Sequence, residues 1–517
     1  AMIADRDRVV ADIAQEVVAR LLAYPGAAPA AVLRPAPGSR PPGGASVRPL
    51  APAAPARAAA QPATPAAAKQ KRAPLGDGVF ATVDEAVKAA AAAQARVAQM
   101  SLDERGRMIG VIRRLCEERA EPLGRMEMDE TRIGRLDHKI AKLRAMRLVL
   151  GVEAMRSDAR SDRSGLCVIE RAPWGVIGMI LPATHSVPTM ASNAINVLAA
   201  GNTAVFSPHP AGALVAAHAL ALFNREIHRE VGLTNVITTM AEASIEAAGE
   251  VFRHPDVALL CVTGGPAVVK AAAQSGKRVI AGGPGNPPVV VDDSADLDLA
   301  ARSIIAGAAF DNNLLCIGEK EVFVLESVAD DFMAAMERAG AVRLDARAIA
   351  RLTEAAFTFD GPGRGCGRAH VKRDLLGQDA SVLAEAAGVR VPAGTELLFG
   401  ETDASHAFVA EEQMMPFLPI VRVPCIDAAI EAAVRAEQGY RHTAVIHTRD
   451  VEHATRMARA VNTTLFIHNA ASLAALGIGG PGYFSHTIAT PTGEGITTPL
   501  TFTRERQIAV GGALRIV

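Results

Sequence analysis

From Arg171 to Gly283, short apolar runs alternate with stretches of helical spacing, and this alternation limits the fold more than any other feature of the chain. The run RAPWGVIGMILPAT, bounded by Pro173 and Pro182, reads as a buried strand and leads into a helix over SNAINVLAAG. Strand TAVFSP, a helix from about Ala211, strand NVITTM, a helix over SIEAAGEVFRH, strand VALLCVTGG and a helix from Pro266 to Gln274 follow in turn. Strands separated by helices pair in parallel through crossovers, which predicts a doubly wound sheet covered on both faces. Upstream, TVDEAVKAAAAAQARVAQM predicts a helix capped near Thr82, with acids in its first turn and bases later. A second α/β region opens at PPVVVDDSADLDLAARSIIAGAAF. No repeat of solenoid period is visible.

The first residues differ in kind. In MIADRDRVVADIAQEVVARLL, residues 2–22, Ile3, Val10 and Val17 recur at seven, and Val9, Ile13, Val17 and Leu21 recur at four. Charged residues fill the opposite face and Pro25-Gly26 ends the pattern, as for a short amphipathic helix. From Pro25 to about Pro74 the chain is alanine, proline and arginine with little else. Such a composition buries no core and predicts a disordered tether, about 150 Å long if extended and about 40 Å as a coil. Two readings of the helix stand: packing on its own body, or binding a separate partner. The long tether favours the partner, because a docked helix rarely needs one.

Composition narrows the function classes. The formal net charge is −1, which gives no nucleic-acid footprint, and no apolar run reaches the length of a bilayer span. Acids and bases alternate in Asp5, Arg6, Asp7 and Arg8, where a secretory signal needs an apolar stretch. The six cysteines lie far apart, with no Cys-x-x-Cys pair and no histidine at zinc spacing, so reduced thiols in the cytoplasm and no metal site are expected. Three tyrosines and one tryptophan argue against a stacking platform for carbohydrate or single strands.

A cysteine nucleophile needs a polar or positive, accessible setting. Cys167 and Cys261 fall inside expected strands and Cys116 on a helix at spacing from Met108 and Ile112, so all three read as packing. Cys366 stands in the glycine-rich loop GPGRGCGRAH, which lacks the Lys-Ser/Thr of a phosphate loop. Cys316, in DNNLLCIGEK, follows Asp311, Asn312 and Asn313, whose amides are candidates for donation to an oxyanion. Its residues alone leave catalysis and packing equally open.

Read in order, the motifs of residues 80–517 resemble the aldehyde dehydrogenase superfamily. PWGVIGMILPATHSVPTMASNAINVLAAGNTAVFSPHP is similar to its first cofactor-binding unit, VTGGPAVVKAA to its second, and AGGPGNPPVVVDDSADLDLAA to the block about 35 residues before the catalytic cysteine. EEQMMPFLPIVRV is similar to the block whose glutamate, here Glu412, holds the nicotinamide ribose. The resemblance implies a Rossmann-type cofactor domain, an α/β catalytic domain and a small oligomerisation arm. It divides the chain into 2–24, the tether 25–78, a cofactor domain 79–283 with its arm near 151–169, a catalytic domain 284–478 and a C-terminal segment 479–517. It makes Cys316 the nucleophile, with Thr184 and Asn313 as oxyanion donors, and Pro182, Ala183, Ser207, His209, Gly264, Gly265, Gly282, Gly283 and Glu412 as cofactor contacts.

Departures from the resemblance carry as much. The glutamate that activates water in hydrolytic members falls at Ala281 or its neighbour, where no carboxylate is in reach along the sequence. Without a general base a Cys316 thioester persists against water, and coenzyme A thiolate becomes the natural acceptor. NNLLCIGEKEVF, FSPHPAG and HTIATPTGEGITTP also resemble the CoA-acylating branch found in bacterial microcompartments, whose members carry an N-terminal helix that docks to the shell. The lysine and glutamate that grip the adenosine ribose correspond to Ser207 and Pro210, with His209 either substituting or structural, so NAD is expected by analogy. His468 and Asn469 read as satisfied loop residues. The expectation is an NAD-dependent, CoA-acylating dehydrogenase for a short-chain aldehyde, packaged through residues 2–22 against a shell protein. The C-terminal TPLTFTRERQIAV is a strand with an edge to cover, which implies a homodimer or homotetramer. A hydrolytic enzyme and an inactive shell-cargo adaptor are the alternatives.

Overall fold

The order of the first sheet explains where a cleft must open. In the computed structural model, which describes residues 73–360 and 369–514, six parallel strands lie side by side in the order Val79–Phe80, Ile237–Met240, Thr203–Pro208, Val176–Leu181, Val257–Thr263 and Val279–Gly282. The chain enters at the edge with Val79–Phe80, crosses to the middle at Val176, winds outward through Thr203 to Ile237, then returns to the other side of Val176 with Val257. Its direction reverses between Val176–Leu181 and Val257–Thr263, and ligands of such sheets bind beyond the carboxyl ends at that reversal. Every residue of Val176–Leu181 and of Thr203–Pro208 is buried, as unbroken apolar runs require when both faces are covered.

The helices follow local chemistry. Val83–Val97 begins at Thr82 with a reciprocal cap, Glu85 N–H to Thr82 Oγ1 and Thr82 N–H to the Glu85 carboxylate. Ser186–Ala199 is buried along its entire length, so it is an interior helix and not an amphipathic cover.

The second sheet has seven parallel strands: Val342–Arg343, Leu398–Glu401, Phe417–Val423, Glu321–Leu325, Pro288–Val291, Thr443–His447 and Leu465–His468. A third, antiparallel sheet joins Asp158–Asp162 to Gly165–Pro173, and Gly165–Pro173 to Thr503–Gly511 in continuous register from Thr503 opposite Pro173 to Gly511 opposite Gly165. Thr503–Gly511 is one of its two edge strands. No helix among the described residues is long and apolar enough to cross a membrane.

Two readings change. Cys167 lies in the antiparallel arm and is half-buried, because that strand packs on its neighbours and on no core. Ordered packing also begins before residue 79: Ala73 is buried and donates its N–H to Ala241 O at 3.0 Å. The amphipathic stretch 2–24, the tether as far as residue 72 and the glycine-rich run around Cys366 lie outside the described residues.

Asn202 closes the turn AAGN. Its Oδ1 accepts from the N–H groups of Trp174 (2.6 Å) and Gly175 (3.0 Å), its Nδ2 donates to Phe502 O (2.9 Å), and the Asn202 side chain itself is fully buried. Replacing Asn202 with Ala leaves these groups unpaired, so the expected loss is about 2–4 kcal/mol in urea unfolding. A loss below about 1 kcal/mol contradicts this placement.

Candidate active site

The loop that carries Cys316 is bent by a rare backbone sequence. Helix Leu297–Ala308 ends, and Asp311, Asn312 and Asn313 then take φ values of 51°, 56° and 64°. Asp and Asn tolerate this left-handed region better than other residues with a Cβ, yet three in succession persist only where surroundings impose them. They do so here. Asp311 pairs with buried Lys142 and accepts from Arg135 N–H at 2.9 Å. Asn312 Nδ2 donates to Gly377 O (3.0 Å) and Asp379 Oδ1 (2.9 Å). Asn313 Nδ2 donates to Ala308 O and Glu319 O, both at 2.9 Å.

This corrects the expected role of Asn313. Both of its amide protons point inward to carbonyl oxygens, so its side chain has none for an oxyanion. It is a scaffold of the loop.

Cys316 is half-buried. Burial, and then the Glu412 carboxylate, push its thiol up to about 12, against the opposing pull of Lys320 and of the Cys316 and Ile317 N–H groups. Glu412 is itself pushed to about 7 by burial, partly countered by Lys320 and by the Gly285 N–H. Gly285 is a close approach of backbone: a Cβ there would lie 2.5 Å from Cys316 O and 2.9 Å from the His442 ring. His442 is buried, with Nδ1 2.8 Å from Thr443 Oγ1 and, among the described residues, no partner on Nε2. Burial and Lys320 depress it to about 4, so the imidazole is neutral near pH 7.

The turn Pro182–His185 joins this centre to the first sheet. His185 Nδ1 lies 2.9 Å from Lys142 Nζ, and its Nε2 lies 3.2 Å from Leu314 O. An ammonium donor on Nδ1 puts the ring proton on Nε2, which donates to the carbonyl two residues before Cys316. Thr184 is half-buried in the same turn.

Pro182 and Ala183 in turn line a cleft of about 950 Å³, together with Ser207, His209, Gly264 and Gly265. Its residues fit a dinucleotide. The helix Pro266–Ala273 starts at Gly265 with N–H groups suited to a pyrophosphate, and Ile245, 84 % exposed at the wall, offers an apolar face to a base. His209 Nδ1 accepts from Ala211 N–H at 3.1 Å, which leaves the ring proton on Nε2. Gly282 and Gly283 do not line the cleft. Their faces pack on Ile488 O (3.3 Å from a Cβ at Gly282) and Pro491 (2.8 Å from one at Gly283), so they admit the segment 487–491. Ala281, buried at that strand end, donates its N–H to Thr492 Oγ1 at 3.0 Å. His468 and Asn469 bond Thr448 at 2.9 and 2.8 Å, the satisfied state expected of them.

Residues 59–347 match the aldehyde dehydrogenase family. The chain is also 44% identical over 443 residues to the acetylating acetaldehyde dehydrogenase EutE of Salmonella typhimurium, across 85% of this chain and 94% of that one. The chain belongs to the aldehyde dehydrogenase family. Among solved members of the family, the propionaldehyde dehydrogenase of Rhodopseudomonas palustris, with bound CoA and an acylated cysteine, aligns with a TM-score of 0.82 at 39% identity over 86% of this chain and 100% of that one. A propionaldehyde dehydrogenase from the Clostridium phytofermentans fucose utilisation bacterial microcompartment gives a TM-score of 0.82, also at 39% identity, over 86% of this chain and 100% of that one.

Sequence reasoning missed Lys142, His185, Lys320 and His442, which come from four segments to the loop of Cys316 and its surroundings. Only Lys320 carried a local signal, as the basic residue closing GEK before a strand.

Burial works to raise the Asp311 carboxyl, but the charges of Lys142 and Lys139 and the hydrogen bonds from Lys142 and Arg135 outweigh it and hold it below the ordinary range. A depressed carboxyl stabilises the fold above its unfolded value and stops doing so as pH falls through its folded value. Asp311→Asn leaves Lys142 buried without its counter-charge, at an expected cost of about 3 kcal/mol. In denaturant unfolding that gap should persist from pH 7 to about 4 and close only below it. A gap absent at pH 7 contradicts the pairing.

Proposed function

We propose that this chain oxidises a short-chain aldehyde to its acyl-CoA with NAD as hydride acceptor, through a thioester on Cys316. The observation that carries the reading is the turn Pro182–His185, which at once lines the nucleotide cleft and bonds the loop of Cys316. A nucleotide in that cleft and an acyl group on that sulfur are therefore neighbours by construction.

The chain's own residues divide the work. Cys316 reacts as the thiolate, its sulfur adding to the aldehyde carbon as the C=O π pair moves onto oxygen; Thr184 and the N–H of the nucleophile loop are the donors for the oxygen that becomes negative. Pro182, Ala183, Ser207, His209 and the Gly264–Gly265 turn hold the dinucleotide, and Glu412 its nicotinamide ribose. When bound, the nicotinamide supplies the hydride acceptor that turns the adduct into a thioester. The CoA thiolate then takes the acyl group and restores Cys316.

Hydrolysis is disfavoured by the carboxylates themselves. Glu319 is buried and occupied by the N–H and hydroxyl of Ser472, both at 2.8 Å, and Ala281 holds the place of a water-activating base. Glu412 stands nearer in effect, because its charge reaches Cys316. It is the residue through which a hydrolytic reading would have to act. NMR of the products at saturating CoA decides between them: acyl-CoA is expected in large excess, and predominant free acid defeats acylation. Cys316→Ala should lose several powers of ten in rate with cofactor binding retained. A variant keeping a tenth of the rate removes Cys316 from this role.

We further infer that residues 2–22 attach the enzyme to a microcompartment shell through Ile3, Val10, Val17 and Leu21, and that Thr503–Gly511 meets a second copy of the chain along its outer edge. The amphipathic spacing supports the first and the edge position supports the second. A fluorescent protein carrying residues 2–24 should collect inside co-expressed shells, and diffuse signal argues against attachment. Sedimentation of the intact chain should give a dimer or larger, and a 53.8 kDa species alone argues against pairing.

A further inference from the structure

Lys320 is the least economical residue in the site. Its side chain is entirely buried, and its ammonium group donates to Asn313 O at 2.7 Å, to Leu315 O at 3.3 Å and to Asn313 Oδ1. Three hydrogens meet three acceptors, and all three acceptors belong to the loop that ends in Cys316. Its own carbonyl is held in turn by Gln413 Nε2 at 3.3 Å.

A buried ammonium costs several kcal/mol of desolvation, and a packed apolar or amide side chain would brace a loop at lower cost. The charge must therefore matter where it sits. Around it stand Cys316, Glu319, Glu321, Glu412 and His442. Glu319 is committed to Ser472, and Asn286 Nδ2 lies 3.5 Å from Glu321 Oε1. Cys316 is the group in this set whose charge changes during the proposed reaction.

We propose that Lys320 is a positioning residue for Cys316: its three hydrogen bonds to Asn313 and Leu315 fix the loop that presents the sulfur and set a buried ammonium group in that loop. The inference rests on the reading of Cys316 as the nucleophile. Burial lowers the affinity of Lys320 for its proton, and the surrounding acids, Glu412 foremost, offset that only in part. The same ammonium is what opposes burial at the Cys316 sulfur.

The test uses the full-length enzyme and three variants. Lys320→Gln keeps a donor for the loop and removes the charge; Lys320→Arg keeps the charge; Cys316→Ala tests the nucleophile on its own. Two quantities are read: the rate of iodoacetamide alkylation at Cys316, resolved by peptide mass spectrometry at pH 8, and kcat apart from the aldehyde KM. For Lys320→Gln, alkylation and kcat should each fall by about tenfold or more, the change expected for one unit in thiol pKa, with KM within about threefold. Lys320→Arg should recover a substantial part of the alkylation rate. A folded Lys320→Gln enzyme with wild-type alkylation and kcat overturns the inference. Should that variant not fold, Lys320→Arg decides: an alkylation rate as low as that of a blocked thiol, with charge kept, overturns it too. Cys316→Ala separates the two claims. Turnover without Cys316 removes the nucleophile reading and Lys320 with it, whereas loss of turnover there beside an unaffected Lys320→Gln removes Lys320 alone.

Discussion

A loop with three successive left-handed residues relaxes unless something opposes it, and here the opposition comes from buried charge. Lys142 holds Asp311 at the start of the turn, and Lys320 holds Asn313 and Leu315 near its end. Each left-handed residue costs on the order of 1 kcal/mol, and each buried ammonium costs several in desolvation. Neither cost is removed by a small shift, because moving the loop strands a charge and moving the lysine strands carbonyl oxygens. The cysteine is thus held in one place by penalties on both sides.

From that loop the contacts run outward to both large sheets. His185 carries the connection to the first sheet, at the point where its strand order reverses and the cleft opens. Gly285 carries it toward the second, with room for Cys316 O on one side and the His442 ring on the other. A covalent acyl enzyme that exchanges ligands needs this arrangement: a fixed sulfur, and a nucleotide cleft whose wall touches the sulfur's own loop. The late segment 487–492 closes the far side, where Thr487 meets Thr263 at 2.8 Å and Asn193 at 3.1 Å. The place of the missing hydrolytic base is thereby filled with packing.

Much of this was legible beforehand, for reasons that differ by residue. The strands around Val176, Thr203 and Val257 were readable because burial on both faces demands unbroken apolar runs with helices between. Cys316 was readable only through the order of motifs around it, since nothing in its composition separates it from Cys261. Asn313 was misjudged because an amide that donates to an oxyanion and an amide that folds a loop are the same residue in a sequence. Gly282 and Gly283 carry the same ambiguity: a missing side chain admits any neighbour, and in the fold the segment 487–491 packs against them.

What the sequence by itself determined is the alternation that makes a doubly wound sheet, the capped helices, and the set of residues able to do thiol chemistry. Those follow from local spacing and from side-chain type, which a chain carries whether folded or not. What only the tertiary structure decided is which charges meet. Lys142 and Asp311 lie 169 positions apart, and Glu412 comes to Cys316 from a different strand region. Electrostatic interaction depends on distance through a medium of low dielectric, and neither the distance nor the medium exists until the chain has packed.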